Sequence, residues 1–82
     1  MSYEKVLRAK RVVIGTKQTV KALKEGHVQE LIVADDAETK VTAIVINQAL
    51  AIDVPVCHVD SMVKLGKACG IEVGASTVAI IR

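Results

Sequence analysis

Four short runs rich in β-branched residues, at Val12–Ile14, residues 30–34, Val56–Val59 and Thr77–Ile81, punctuate an 82-residue chain, and each interval between them is long enough for a helix. Runs of three to five residues are too short for helices of their own, and their composition suits buried strands. The intervals read as helices at residues 2–10, from Thr16 to about Glu25, at 39–50 and at 61–70. Ser2, Thr16 and Ser61 are placed to cap helix starts, and Gly26 and Gly70 supply left-handed stops. In the first helix Val6, Leu7 and Ala9 form the inner side. Residues 39–50 carry the β-branched series Val41-Thr42-Ala43-Ile44-Val45-Ile46, which propensity alone assigns to a strand. Length and alternation favour a helix there, with Val41, Ile44, Val45, Gln48 and Ala49 on one face. In the fourth helix Met62, Leu65 and Cys69 face the core, and Gly66 permits close helix packing. The expected fold class is α/β, a three-layer α/β/α sandwich on a four-stranded mixed sheet, with residues 1–82 forming a single domain. The order of the strands does not follow from the pattern.

Tyr3 is the only aromatic residue, so the core must be built from Val, Ile, Leu and Ala. Base-stacking platforms of the kind used by many single-strand binders are excluded for the same reason. Formal net charge is only +2, but its distribution is uneven. Residues 1–24 hold seven basic residues against Glu4, residues 25–60 hold seven acidic ones against Lys40, and residues 61–82 return to a surplus of two positive charges. A basic end of this kind points to a polyanionic partner.

The basic segment contains the junction Gly15-Thr16-Lys17-Gln18-Thr19-Val20-Lys21, where the first apolar run meets glycine and opens a helix. The first helical N–H groups lack partners inside the helix, the macrodipole adds partial positive charge, and Gly15 allows close backbone approach, so an anion is the natural occupant. Lys17, Lys21 and Lys24 share one helical face, and Thr19, Val20, Ala22 and Leu23 lie on the other. Asp35 and Asp36 place negative charge ahead of the third helix. The apolar, glycine-containing loop Ile71-Glu72-Val73-Gly74-Ala75 is unusual for a connection, and its Ile71 and Val73 are either tucked beneath the helices or displayed for a partner.

Other chemistries find little support. Lys10 occupies the place of the first glycine of a P-loop and no Ser or Thr follows Lys17, so the nucleotide-binding motif is incomplete. Cys57 and His58 are adjacent on a strand and point to opposite faces, which argues against a shared metal with His27 or Cys69. His58 reads as a half-buried strand histidine and His27 as a solvated turn residue, neither with a paired carboxylate. No nucleophile, base and orienting group assemble from short motifs, so no catalytic residue, metal or cofactor is expected. With no signal peptide ahead of the first charges, no apolar run long enough to span a bilayer and two cysteines read as free buried thiols, a reduced cytoplasmic setting without membrane association is expected.

Residues 15–26 (Gly-Thr-Lys-Gln-Thr-Val-Lys-Ala-Leu-Lys-Glu-Gly) and 65–70 (Leu-Gly-Lys-Ala-Cys-Gly) together resemble the kink-turn-binding ribosomal-protein superfamily of the L-seven-Ae and L-thirty-e type, and are most similar to its small bacterial, YbxF-like members. The resemblance covers almost the whole chain. It implies an α/β/α sandwich whose second helix enters the widened major groove of a kink-turn, an RNA duplex bent at a bulge beside tandem sheared G·A pairs. Regular A-form RNA closes that groove to side chains. It further implies that Gly15 and Thr16 approach the RNA backbone, Lys17 and Gln18 face the G·A pairs and Lys21 contacts phosphate. Ile71, Glu72, Val73, Gly74 and Ala75 would form the loop that packs on flipped-out nucleotides. The family pattern departs at one place: archaeal relatives carry Asn-Glu where this chain has Lys17-Gln18, which favours readout by phosphate and shape over base identity.

The leading expectation is a monomeric, non-enzymatic protein that binds structured RNA containing kink-turns, whether ribosomal RNA or a riboswitch. The alternatives are a nucleotide- or phosphate-binding module using the amides of Gly15, Thr16 and Lys17, and a protein-interaction module built on Ile71 and Val73.

Overall fold

The computed structural model describes residues 3–82, and in it α1 (Tyr3–Arg8), β1 (Val12–Ile14), α2 (Thr16–Lys24), β2 (Val28–Ala34), α3 (Thr39–Ala51), β3 (Val56–Val59), α4 (Met62–Ala68) and β4 (Thr77–Ile81) follow in the expected alternation. The cap expected at Ser2 lies outside the described residues. The strands form one mixed sheet in the order β1-β4-β2-β3, with β2 and β3 parallel and the other two pairings antiparallel. A parallel pair needs a crossover, and α3 is that crossover, which explains why a β-branched segment is helical. β2 lies inside the sheet because both of its edges are paired.

Alternation along the strands divides the interior in two. Leu31 and Val33 of β2, with Ala79 of β4, join Ala22 and Leu23 of α2 and Val45 and Ala49 of α3. Ile32 and Ala34, with Val78 and Ile80, join Val6 of α1 and Leu65 of α4 on the other face. The result is the three-layer α/β/α arrangement, with α2 and α3 on one side and α1 and α4 on the other. Leu31, Ile32 and Val45 have no exposed surface, so removal of any of these side chains leaves a cavity.

Helix phases differ from expectation in two places. Leu7 is 68% exposed, because a six-residue helix closed by the Ala9 N–H to Val6 carbonyl bond turns only Val6 fully inward. Ile44 is 56% exposed, and the buried face of α3 is Thr42, Val45 and Ala49, rotated from the expected one. Thr42 is tolerated inside because its hydroxyl bonds back to the Glu38 and Thr39 carbonyls.

Helix ends follow local chemistry more closely. The Ser61 hydroxyl accepts the Lys64 amide at 3.2 Å, as a capping serine should, and Gly26 and Gly70 take the left-handed conformation after α2 and α4. Asp36, expected to serve the start of α3, accepts the Met62 amide at 2.8 Å and thus serves α4. His58 is exposed and pairs with Asp35 at 2.8 Å, so it is neither half-buried nor without a carboxylate. Cys57 and Cys69 are free and half-buried, and burial pushes the Cys69 thiol up.

Glu30 links α1 to the sheet by accepting from Lys5 at 2.8 Å and from the Cys57 thiol. Burial raises its pKa, but the bonds from Cys57 and Lys5 outweigh this and hold the carboxyl below its usual range. A carboxyl depressed on folding contributes stability above its unfolded pKa, about 4.3, and loses it as pH falls through the lower folded value. Urea midpoints measured across pH 2–7 should therefore fall at the acid end of that range, and Glu30→Gln should flatten part of this fall. An unchanged acid profile in Glu30→Gln would show that the pairing adds nothing to the folded state.

Candidate nucleic-acid interface

The candidate interface lies where β1 ends and α2 begins. Gly15 occupies the cap position with φ 100° and ψ 150°, a backbone conformation that favours glycine, and no side chain caps the helix. Thr16, expected as the cap, is instead the first helical residue. The Gly15 carbonyl accepts the Thr19 amide at 3.0 Å, and the Gly15 amide donates to the Thr77 carbonyl at 3.1 Å. Among the described residues the amides of Thr16, Lys17 and Gln18 have no hydrogen-bond acceptor, as the first turn of a helix leaves its amides free. A Cβ placed on Gly15 would meet nothing within 4 Å, so the glycine is required by backbone conformation and leaves open space beside the helix start.

α2 is sharply two-sided. Thr19, Ala22 and Leu23 are buried and Val20 packs against the same core, whereas Lys17, Gln18, Lys21 and Lys24 are exposed. The three lysines form no ion pair among the described residues. An unneutralised ammonium series beside free amides is a surface for anions. The hydroxyls of Thr19 and Thr77 are buried without a hydrogen-bond partner among the described residues.

The second expected contact, residues 71–75, splits into anchors and a displayed tip. The Ile71 amide donates to the Gly66 carbonyl at 3.0 Å and the Ala75 amide to the Met62 carbonyl at 3.0 Å, which ties both ends of the loop to α4. Ile71 packs against the core and Ala75 is buried, so neither is displayed. Ala75 is thereby an anchor, in contrast to the expectation that it faces a ligand. Val73 is 70% exposed, and Glu72 and Gly74 are exposed beside it.

Gly66 explains the loop's position. A Cβ there would stand 2.0 Å from the Val73 carbonyl oxygen, so the close packing expected of this glycine is against loop backbone and not against another helix. The loop then runs into β4, and Ala75 stands two residues before Thr77, the residue bonded to Gly15. One chain segment therefore connects the displayed tip at Val73 to the start of α2. Sequence reasoning missed Thr77 as the partner of Gly15, since only strand pairing brings the two together.

No group of three or more His, Cys, Asp or Glu residues among the described ones could hold a metal ion. None of their helices is long and apolar enough to cross a membrane.

Comparison with known proteins bears on the family and the fold. The sequence model of the ribosomal protein L7Ae/L30e/S12e/Gadd45 family matches residues 2–82. The RNA-binding protein YbxF of Geobacillus stearothermophilus is 60% identical over 82 residues, covering 100% of both chains. An RNA-binding protein of Geobacillus sp. (strain WCH70) is 61% identical over 82 residues, again covering 100% of both. Among solved structures, the Giardia lamblia 15.5kD RNA binding protein superposes with a TM-score of 0.87 at 20% identity, covering 98% of this chain and 68% of that one. The last similarity concerns the fold alone.

Proposed function

The chain belongs to the ribosomal protein L7Ae/L30e/S12e/Gadd45 family, and from that membership and the geometry of the α2 start we propose that it is a non-enzymatic RNA-binding protein that recognises and stabilises kink-turns. One observation carries the reading: free amides, Lys17 and Gln18 at the start of α2 are joined through the Gly15–Thr77 bond to a loop whose tip displays Val73. A sharply bent RNA offers both kinds of surface at once, a widened groove for the helix and unstacked nucleotides for an apolar tip. In this reading Gly15 and Thr16 approach the RNA backbone, Lys17 and Gln18 lie against the G·A pairs, Lys21 meets phosphate, and Val73 with Glu72 and Gly74 packs on the bulge. Ile71 and Ala75 hold the loop in place. The protein acts as a cytoplasmic monomer on a structured RNA, ribosomal RNA or a riboswitch.

The names of the Geobacillus relatives, identical at about three positions in five, support RNA as the ligand. Lys17 and Gln18 should matter most. In gel shifts with a kink-turn RNA, Lys17→Ala with Gln18→Ala is expected to weaken binding tenfold or more, about 1.4 kcal/mol or above, with folding unchanged because both side chains are exposed. Wild-type affinity in the double variant would move the site elsewhere.

A further inference from the structure

A second basic surface lies at the opposite end of β1 from Gly15. A cleft of about 600 Å³ is lined by Lys5, Arg8, Lys10, Arg11, Glu30 and Arg82, with Ala9, Ile80 and Ile81 as its apolar wall. The walls are fixed by main-chain bonds, from the Ile81 amide to the Arg11 carbonyl at 3.1 Å and from the Arg82 amide to the His27 carbonyl at 2.9 Å. Lys5 is engaged by Glu30, whereas Arg8, Lys10, Arg11 and Arg82 form no side-chain ion pair among the described residues. Four unpaired cations around one cleft repel one another unless an anion joins them.

Distance separates this cleft from the α2 start. β1 (Val12–Ile14) lies between Arg11 and Gly15, and four residues at about 3.3 Å each place the two up to roughly 13 Å apart. That exceeds the screening length of about 8 Å at physiological salt, so the cleft is electrostatically separate from the helix start at Gly15–Gln18. No aromatic residue lines it, which removes base stacking. Arginine forks match phosphate oxygens in pairs, so the chemistry on offer is phosphate recognition.

We propose that this cleft binds the phosphodiester backbone of an RNA segment other than the one held at Gly15–Gln18, so that the protein clamps two segments of a folded RNA. The proposal rests on the RNA-binding reading of α2 for its choice of polyanion, but uses none of the same residues.

Salt dependence tests it, because each neutralised phosphate adds a fixed increment to the slope of log K against log salt. Fluorescence anisotropy of the full chain with a kink-turn RNA bearing long helical arms, and with a straight RNA duplex, would be measured over a salt series. Replacement of Arg8, Lys10 and Arg11 by Gln is expected to make the slope shallower by about 2, at roughly 0.7–0.9 per phosphate. A charge-matched control with Lys40, Lys64 and Lys67 replaced by Gln should shift it by less than about 0.5. An unchanged slope in the cleft variant, or an equal loss in the control, overturns the proposal. If the triple variant does not fold by circular dichroism, Lys10→Gln alone should lower the slope by about 0.7–0.9, and no change there also overturns it. Absence of any preference for the kink-turn over the duplex in the unmodified protein would remove the α2 reading and leave the slope difference to decide the cleft.

Discussion

Gly66→Ala is expected to destabilise the protein by more than about 3 kcal/mol, the upper end of the ordinary cost of overpacking. The methyl group would be placed 2.0 Å from the Val73 carbonyl oxygen and 3.1 Å from its carbon. Those are backbone atoms, so no rotamer change relieves the clash. The loop is bonded to α4 on either side, through Ile71 to Gly66 and Ala75 to Met62, and cannot slide away without breaking one of these bonds. A domain of this length has a total stability of about 4–12 kcal/mol, so the variant should be severely weakened or unfolded in urea titrations. Any fraction that folds should bind kink-turn RNA less well, since relief of the clash moves Val73. Wild-type stability would mean that the loop does not rest on α4.

The second large effect is expected at Leu23. This side chain is 1% exposed and joins α2 to Leu31 and Val33 of the sheet and Val45 of α3. Leu23→Ala should cost about 2–5 kcal/mol, the range for a buried leucine whose cavity does not collapse. Leu7→Ala is the contrast, because a side chain 68% exposed should change stability by less than about 0.5 kcal/mol. Equal losses in the two variants by urea denaturation would contradict the packing of α2 on the sheet. Leu23 also matters for the interface, since it fixes the helix whose opposite face carries Lys17, Gln18 and Lys21.

These two residues mark what the sequence made legible. The periodicity of α2 placed Leu23 inside and the lysines outside, and Ser61, Gly26 and Gly70 announced helix boundaries through chemistry confined to a few neighbouring residues. Features that depend on distant partners were not legible. Gly66 could be read as a close-packing glycine, but its partner, the Val73 carbonyl, depends on how the loop folds back on α4. Asp36 caps α4 and not the nearer α3, and His58 finds Asp35 only because β2 and β3 lie side by side in parallel. The phase at Ile44 was not legible because apolar residues of α3 fall on its exposed side as well as its buried one, Ile44 and Leu50 among them.

At the interface the same division holds. Gly15, Lys17, Gln18 and Lys21 fall within seven consecutive residues, so their proximity could be read from the sequence, although the cap is Gly15 itself and Thr16 is already helical. The loop could be suspected from its composition, but which of its residues anchor and which are displayed needed the fold. Ile71 and Ala75 turn inward and Val73 outward, so the two readings open for this loop apply to different residues of it. In the proposed RNA complex, readout at Lys17 and Gln18 should lean most on shape and salt.

Recognition of bent RNA, as opposed to RNA in general, is the central claim. It is tested most directly by gel shifts that compare a kink-turn RNA with the same sequence in which the sheared G·A pairs are replaced by Watson–Crick pairs. Tenfold or greater loss of affinity for the replaced RNA, about 1.4 kcal/mol or more, is the expected result. Equal binding of the two RNAs would contradict structure-specific recognition at Gly15–Lys21.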